Sequence, residues 1–150
     1  MTHNQNIISI KNLTVSFYTD EGIIKPVNDV SFEIPAGKTF ALVGESGCGK
    51  SVTALSILRL IPTPPGKIET GSILFKNRDL LRTSEKKLRT IRGNKIAMIF
   101  QEPMTSLNPV YTIGDQIVET IKLHQKKTDA QAWADAVDVL EKVQIPEPEK

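Results

Sequence analysis

Apolar and polar positions alternate with period two at the start of the chain. Ile8 and Ile10 form one set, and Leu13, Val15 and Phe17, with Thr14 and Ser16 between them, form a second in another register. Successive strand side chains leave opposite faces, so this pattern predicts half-buried strands. Asp20, Glu21 and Gly22 then predict a turn, and Val30, Phe32 and Ile34 resume the alternation up to Pro35 and the stop at Ala36 and Gly37. A β-hairpin or meander is therefore expected first. Phe40, Ala41, Leu42 and Val43 break the alternation with a continuous apolar run, which predicts a strand over residues 39–43 buried on both faces of a parallel sheet. Ala54, Leu55, Leu58 and Ile61 recur at helical spacing, and Pro62, Pro64 and Pro65 forbid continuation, so a helix is expected over residues 50–61.

Further along, residues 68–75 predict a short strand, the basic stretch 86–92 an exposed helix or loop, and residues 95–100 another apolar strand. Thr112 with Asp115 makes a capping signal ahead of Ile113, Ile117 and Ile121. Thr128 with Gln131 makes a second, ahead of Trp133, Val137 and Leu140. No internal repeat or low-complexity tract interrupts the order of mixed strands, a strand-loop-helix unit and terminal helices.

Composition narrows this picture only in part. A chain of 150 residues suits one compact domain or a piece of a larger one, and 39% hydrophobic content argues against disorder. A formal charge of +2 gives no reason to expect nucleic acid as a partner. Cys48 is the single cysteine, which excludes an internal disulfide or a multi-thiolate metal site and predicts a reducing compartment. The polar first residues show no secretory signal, and no apolar run approaches the ~20 residues that span a bilayer. Any membrane role is thus expected to come through a partner. His3 and His124 are isolated and read as solvated surface residues.

The chemistry concentrates between the apolar run and the helix. Gly44, Glu45, Ser46, Gly47, Cys48, Gly49, Lys50 and Ser51 match the phosphate-loop pattern GxxxxGK[ST] at every fixed position. Glycines let the backbone curl so that amides from about Gly47 to Val52 point inward as an anion nest at a helix N-terminus. Lys50 would set its ammonium against the β and γ phosphates, and the Ser51 hydroxyl would coordinate Mg²⁺. Val52 has no hydroxyl and offers only its N–H. Cys48 stands at a variable position of the pattern and reads as a small side chain facing away from the phosphate rather than as a redox group.

Family assignment needs residues outside this loop. The run Ile96 to Phe100 is followed by Gln101, Glu102, Pro103, Met104, Thr105, Ser106, Leu107, Asn108 and Pro109, which resembles the Q-loop region of ABC ATPases. More narrowly, it resembles the oligopeptide, dipeptide and nickel importer subfamily. The resemblance extends along the whole chain, including the β-segment around Val27 to Phe32 before the phosphate loop. It implies an α/β fold: a P-loop NTPase core with an N-terminal antiparallel β-subdomain and the start of an α-helical subdomain. The expected division is residues 1–38 for the β-subdomain, 39–101 for the core with a β insertion, and 102–150 for the Q-loop and helices.

The resemblance further implies ATP and Mg²⁺ as cofactors. Gln101 would be the residue near the metal or the attacking water, and Phe17 would stack on adenine; because Phe17 also continues the Leu13 and Val15 alternation, it could equally be a core residue, with Tyr18 then the substitute. It implies transmembrane permease subunits as partners of the Q-loop region, a second homologous but non-identical ATPase, a separate solute-binding protein, and a place on the cytoplasmic face of the cell membrane. The family's signature motif, acidic strand end and switch histidine do not occur in this sequence, so an incomplete domain is expected, poorly soluble and without ATP turnover. Two other readings stay open: a non-catalytic nucleotide-binding module, and a different P-loop enzyme such as a small kinase or GTPase.

Overall fold

A computed structural model describes residues 6–101 and 106–149. The chain forms two compact units, residues 1–89 and 90–150, each with its own packing.

The first unit is built on a four-stranded antiparallel sheet in the order β2-β1-β3-β4. Strand β1 (Asn6–Thr19) lies in the centre between β2 (Gly22–Pro35) and β3 (Gly66–Phe75), and the two-residue β4 (Arg78–Asp79) closes one edge. Period-two alternation gives one face of this sheet its core: Ile10, Leu13, Val15, Val27 and Ile73 are at most 1% exposed. Burying side chains of this size stabilises by about 1.5–3 kcal/mol each.

The two registers of β1 have a structural cause. Ile10 pairs with Phe32 and Leu13 with Val30, so three residues of β1 face two of β2, a bulge. Asn12 takes up the extra residue at φ 50°, with its backbone N–H donating to Ser31 Oγ at 2.8 Å and its side-chain amide to Asp29 Oδ1 at 2.8 Å. Shifting the frame there returns Leu13 and Val15 to the buried face.

Two expected strands do not form. Residues 39–43 carry no regular structure, and Val43 is 88% exposed. Phe40 does stack on Phe32 of β2, with ring centroids 5.1 Å apart, so the beginning of the run is docked by a side chain. Residues 97–100 are likewise irregular, with Ile99 97% exposed, and Ile96 makes only an isolated bridge to Arg92. A parallel strand needs a neighbour for its backbone N–H and C=O groups, and among the described residues neither run has one. Helix α1 (Lys50–Ile57) is also shorter than residues 50–61. The chain leaves it at Leu58, Arg59 adopts φ 52°, and Leu58 and Ile61 remain buried as apolar residues of the following loop. Helix α2 (Glu85–Arg89) realises the basic stretch and buries Leu88.

The second unit is a helical hairpin of α3 (Ile113–His124) and α4 (Asp129–Lys142). Thr112 accepts from the Asp115 amide, and Thr128 with Gln131 completes a reciprocal capping box, so both starts are where sequence predicts them. On α3 the expected stripe is largely met, with Ile121 buried, Ile117 packed beside it and only Ile113 exposed, whereas on α4 the packed face is one position away from expectation. Val118, Ile121, Ala132 and Ala136 form the seam, with Ile117 beside it. Trp133 is 45% exposed with its ring over Gly114, and Val137 and Leu140 are half-buried. Small Ala132 and Ala136 allow the two backbones to approach closely, which the larger residues would prevent.

Candidate functional site

Residues 44–49 join the unpaired run to α1 as a loop that is exposed up to Cys48 and buried at Gly49. Its last residue, Gly49, caps the helix in the left-handed conformation, at φ 91° and ψ 5°. A methyl group built on Gly49 would overlap the carbonyl oxygen of Pro26 and come within 3.4 Å of Val27 Cγ2, so β2 itself is the seat of the loop. Only glycine satisfies both the conformation and the contact. Gly47 also has positive φ, 80°, and turns the chain toward that seat.

Helix geometry supplies the donors. The Thr53 amide bonds to Gly49 O at 2.8 Å, and the Thr53 hydroxyl bonds to the same oxygen at 2.9 Å. The amides of Lys50, Ser51 and Val52 belong to the first turn, whose N–H groups have no partner within a helix. No acidic side chain stands in this turn to complement the positive end of the helix dipole. The Lys50 ammonium folds back over the loop instead, donating to Gly44 O at 2.9 Å, to Glu45 O at 2.6 Å and to Cys48 Sγ at 3.5 Å. A cation at a helix N-terminus is electrostatically unfavourable, so this group is held by loop carbonyls close to amides that attract an anion. Ser51 and Ser46 are exposed, and Val52 is half-buried.

Phe17 belongs to the same unit. It pairs with Ile24 on β2 and with Gly66 on β3 and is half-buried. By alternation it shares the face of Val15, whose partner Val27 meets the loop. Tyr18 points to the other face. Its hydroxyl donates to Glu69 Oε1 at 2.5 Å, Glu69 pairs with Lys67 at 2.8 Å, and the Lys67 ammonium lies 6.0 Å from the tyrosine ring centroid. Hydrogen bonds from Lys67 and then Tyr18 hold the Glu69 carboxyl below its ordinary range, and Glu69 in turn raises Tyr18 and Lys67.

Gln101 lies in the second unit and is exposed, while Glu102, Pro103, Met104 and Thr105, like His3, lie outside the described residues. Beyond them Gln116 of α3 braces the remainder of the run. Its Oε1 accepts from the Asn108 amide at 2.9 Å, and its Nε2 donates to Asn108 O at 3.0 Å and Tyr111 O at 3.1 Å. Sequence reading singled out neither this brace nor the Pro26 seat. Pro26 did leave a signal, since proline inside a strand pattern marks an edge or a bulge. Gln116 left none, because a polar residue on a helix is ordinary. Among the described residues there is no cluster of three or more His, Cys, Asp or Glu side chains able to hold a metal, and no helix is long and apolar enough to cross a membrane.

Comparison with known proteins gives the family and the fold. The family described as ABC transporter matches residues 27–150. The dipeptide transport ATP-binding protein DppD of Bacillus subtilis is 49% identical over 144 residues, which cover 96% of this chain and 43% of that protein. The oligopeptide transport ATP-binding protein OppD of the same organism is 47% identical over 144 residues, covering 96% of this chain and 40% of its own length. The chain thus spans about two fifths of these relatives. Among solved structures, the ATP-binding cassette MJ0796 in a dimeric post-hydrolysis state bound to ADP and Pi superposes with a TM-score of 0.78 at 23% identity, over 93% of this chain and 58% of that one. This likeness gives the fold.

Proposed function

We propose that this chain, which belongs to the ABC transporter family, is the nucleotide-binding portion of a subunit that couples ATP to the import of peptides or related solutes. The observation that carries the reading is the glycine-seated loop with Lys50 held across it by Gly44 O and Glu45 O. The seat leaves no room for a side chain at Gly49, so the backbone itself faces the ligand. The residues fit a polyphosphate: first-turn amides of Lys50, Ser51 and Val52 supply an anion nest, with the Gly44, Ser46, Gly47, Cys48 and Gly49 backbone around it. Lys50 would exchange loop carbonyls for phosphate oxygens, and the exposed Ser51 hydroxyl would coordinate Mg²⁺; for Gln101, a role near the metal or the attacking water is supported by the family's Q-loop pattern alone. When bound, MgATP supplies the phosphoanhydride whose cleavage powers transport in such a system. The chain's own part is to orient the phosphates and offset their charge.

Phe17 is the proposed base platform in preference to Tyr18. Support comes from its face, shared with Val15 on the side of the Pro26 and Val27 seat, whereas the Tyr18 ring is engaged by Glu69 and Lys67. Peptide cargo is supported by the similarity to DppD, a dipeptide transport protein, and OppD, an oligopeptide transport protein. We further assign residues 1–38, 39–101 and 102–150 to β-subdomain, core, and Q-loop with helices. A cytoplasmic membrane face, permease subunits docking at the Q-loop region, a second ATPase and a solute-binding protein complete the proposal.

Titration of MgATP into the chain tests it. Lys50→Ala is expected to weaken binding about tenfold or more, the loss of charged hydrogen bonds worth about 1.5–3 kcal/mol. Equal affinity of wild type and Lys50→Ala would sink the reading. The 150 residues are expected to bind without steady turnover, because no acidic strand end or switch histidine of the family's pattern occurs in them. Continuous phosphate release that depends on Lys50 would contradict this.

A further inference from the structure

The carbonyl of Gly49 and the amide of Lys50 are the two ends of one planar, trans peptide group, so whatever fixes the oxygen also aims the N–H the opposite way. In the proposed site that N–H is a first-turn donor facing the anion. Glycine offers little resistance to rotation of this plane, and Gly49, the N-cap residue of α1, has no side chain to hold it. Thr53 supplies the restraint from one turn further along. Its backbone N–H and its hydroxyl both donate to Gly49 O, at 2.8 and 2.9 Å, and the residue is 4% exposed, so water does not compete for the hydroxyl. Ser56 makes the same kind of bond on the same helix. Its hydroxyl donates to Val52 O at 2.7 Å, and the residue is buried. The peptide it grips ends in the Thr53 N–H, which is already committed to Gly49 O. Of these two bonds, only that of Thr53 reaches a peptide whose N–H has no partner within the helix.

We infer that Thr53 is a positioning residue for the phosphates: its hydroxyl pins the Gly49–Lys50 peptide and, by drawing electron density onto the carbonyl oxygen, strengthens the Lys50 N–H as a donor. Linked hydrogen bonds polarise one another by about 10–30% per bond. The last bonds of a helix also fray, so a second bond on the same oxygen counts for more at this end of α1 than in its interior. Thr53 acts through the peptide alone, which separates its role from that of Lys50 and Ser51, whose side chains would meet the ligand. Its effect is therefore expected on any polyphosphate, with or without a base.

This rests on the reading of the loop as a phosphate site, and magnesium tripolyphosphate, which carries no base, is the probe. It is titrated into the wild-type chain and into Thr53→Val, Thr53→Ser and Ser56→Ala, and the Lys50 amide proton of each free chain is followed by NMR. Thr53→Val keeps the side-chain shape and orphans nothing, because Gly49 O retains the Thr53 amide. It is expected to bind about fourfold more weakly, the range of one neutral hydrogen bond, and to move the Lys50 amide proton upfield. Where valine disturbs the helix, Thr53→Ala is the second hydroxyl-free variant, with the same two expected changes. Thr53→Ser keeps the hydroxyl and is expected to restore affinity to within about twofold of wild type. Ser56→Ala is expected to leave both readouts unchanged. Wild-type affinity without the Thr53 hydroxyl, or a loss in Thr53→Ser as large as in Thr53→Val, overturns the assignment. An equal loss in Ser56→Ala overturns it too, since the helix as a whole would then be responsible. A wild-type chain that does not bind tripolyphosphate overturns the phosphate reading itself.

Discussion

Residues 13–17 and residues 39–43 are both rich in apolar side chains, yet the first lies at the centre of a sheet with Leu13 and Val15 fully buried, and the second is irregular with Val43 88% exposed. The difference is in the neighbours. β1 has β2 on one side, joined by a tight turn, and β3 on the other, which arrives only after the loop and α1. Among the described residues, residues 39–43 have no strand partner, and Phe40 stacks on Phe32. Hydrophobicity thus measures how much a segment gains from burial, while strand formation depends on a second segment being there to receive its hydrogen bonds.

The strongest way to break this comparison is to truncate one apolar residue in each segment. Leu13→Ala is expected to cost about 2–5 kcal/mol, measured by chemical denaturation, whereas Val43→Ala should stay within about 0.5 kcal/mol. Equal losses would mean that the second run is packed after all. Gly49 lies just beyond the unpaired run, and its seat on β2 ties that region to the sheet. Gly49→Ala is expected to cost about 1–2 kcal/mol from the left-handed conformation alone, with the Pro26 overlap added, and to weaken nucleotide binding in the same titrations. An alanine variant with wild-type melting behaviour would show that the seat yields.

Helices extend the comparison, because an α-helix satisfies its backbone within one segment. Thr128→Ala removes the capping box and is expected to cost about 1 kcal/mol in the helical unit, while leaving the sheet's hydrogen-exchange protection unchanged. The smallest effect concerns the edge of the paired region. Glu69 titrates below its ordinary value, so its contribution is present above about pH 4.3 and disappears as pH falls through its lowered value. Tyr18 and Lys67 are raised, so theirs is present below their ordinary values near about pH 10 and disappears as pH rises through the raised ones. A Glu69→Gln chain should show a flatter pH dependence of melting temperature at both limbs. An unchanged acid limb would detach this cluster from stability.

Legibility from sequence follows the same division. Both caps of the helical hairpin were readable, as was the opening hairpin, because each is decided by residues close in the chain. Even the bulge at Asn12 was visible, as the change of register between Ile10 and Leu13. Runs 39–43 and 95–100 carried the composition of strands but no information on who would stand beside them. At the candidate site, the loop pattern singled out Lys50 and Ser51, since phosphate binding calls for those residue types. Pro26 and Gln116 act through a backbone carbonyl and a local brace, and neither job requires a distinctive side chain. The helix face was misjudged because Trp133, Val137 and Leu140 weigh more on a hydrophobicity scale than Ala132 and Ala136, while close packing of two helices selects for smallness.

Trp133 gives the molecule an optical asymmetry. It is the single tryptophan of the chain, and its indole rests on Gly114 within the helical hairpin, half in solvent. Intrinsic emission excited at the red edge of the aromatic band therefore originates in α4 alone. Its wavelength and quenching thus follow the opening of the helical hairpin without any label.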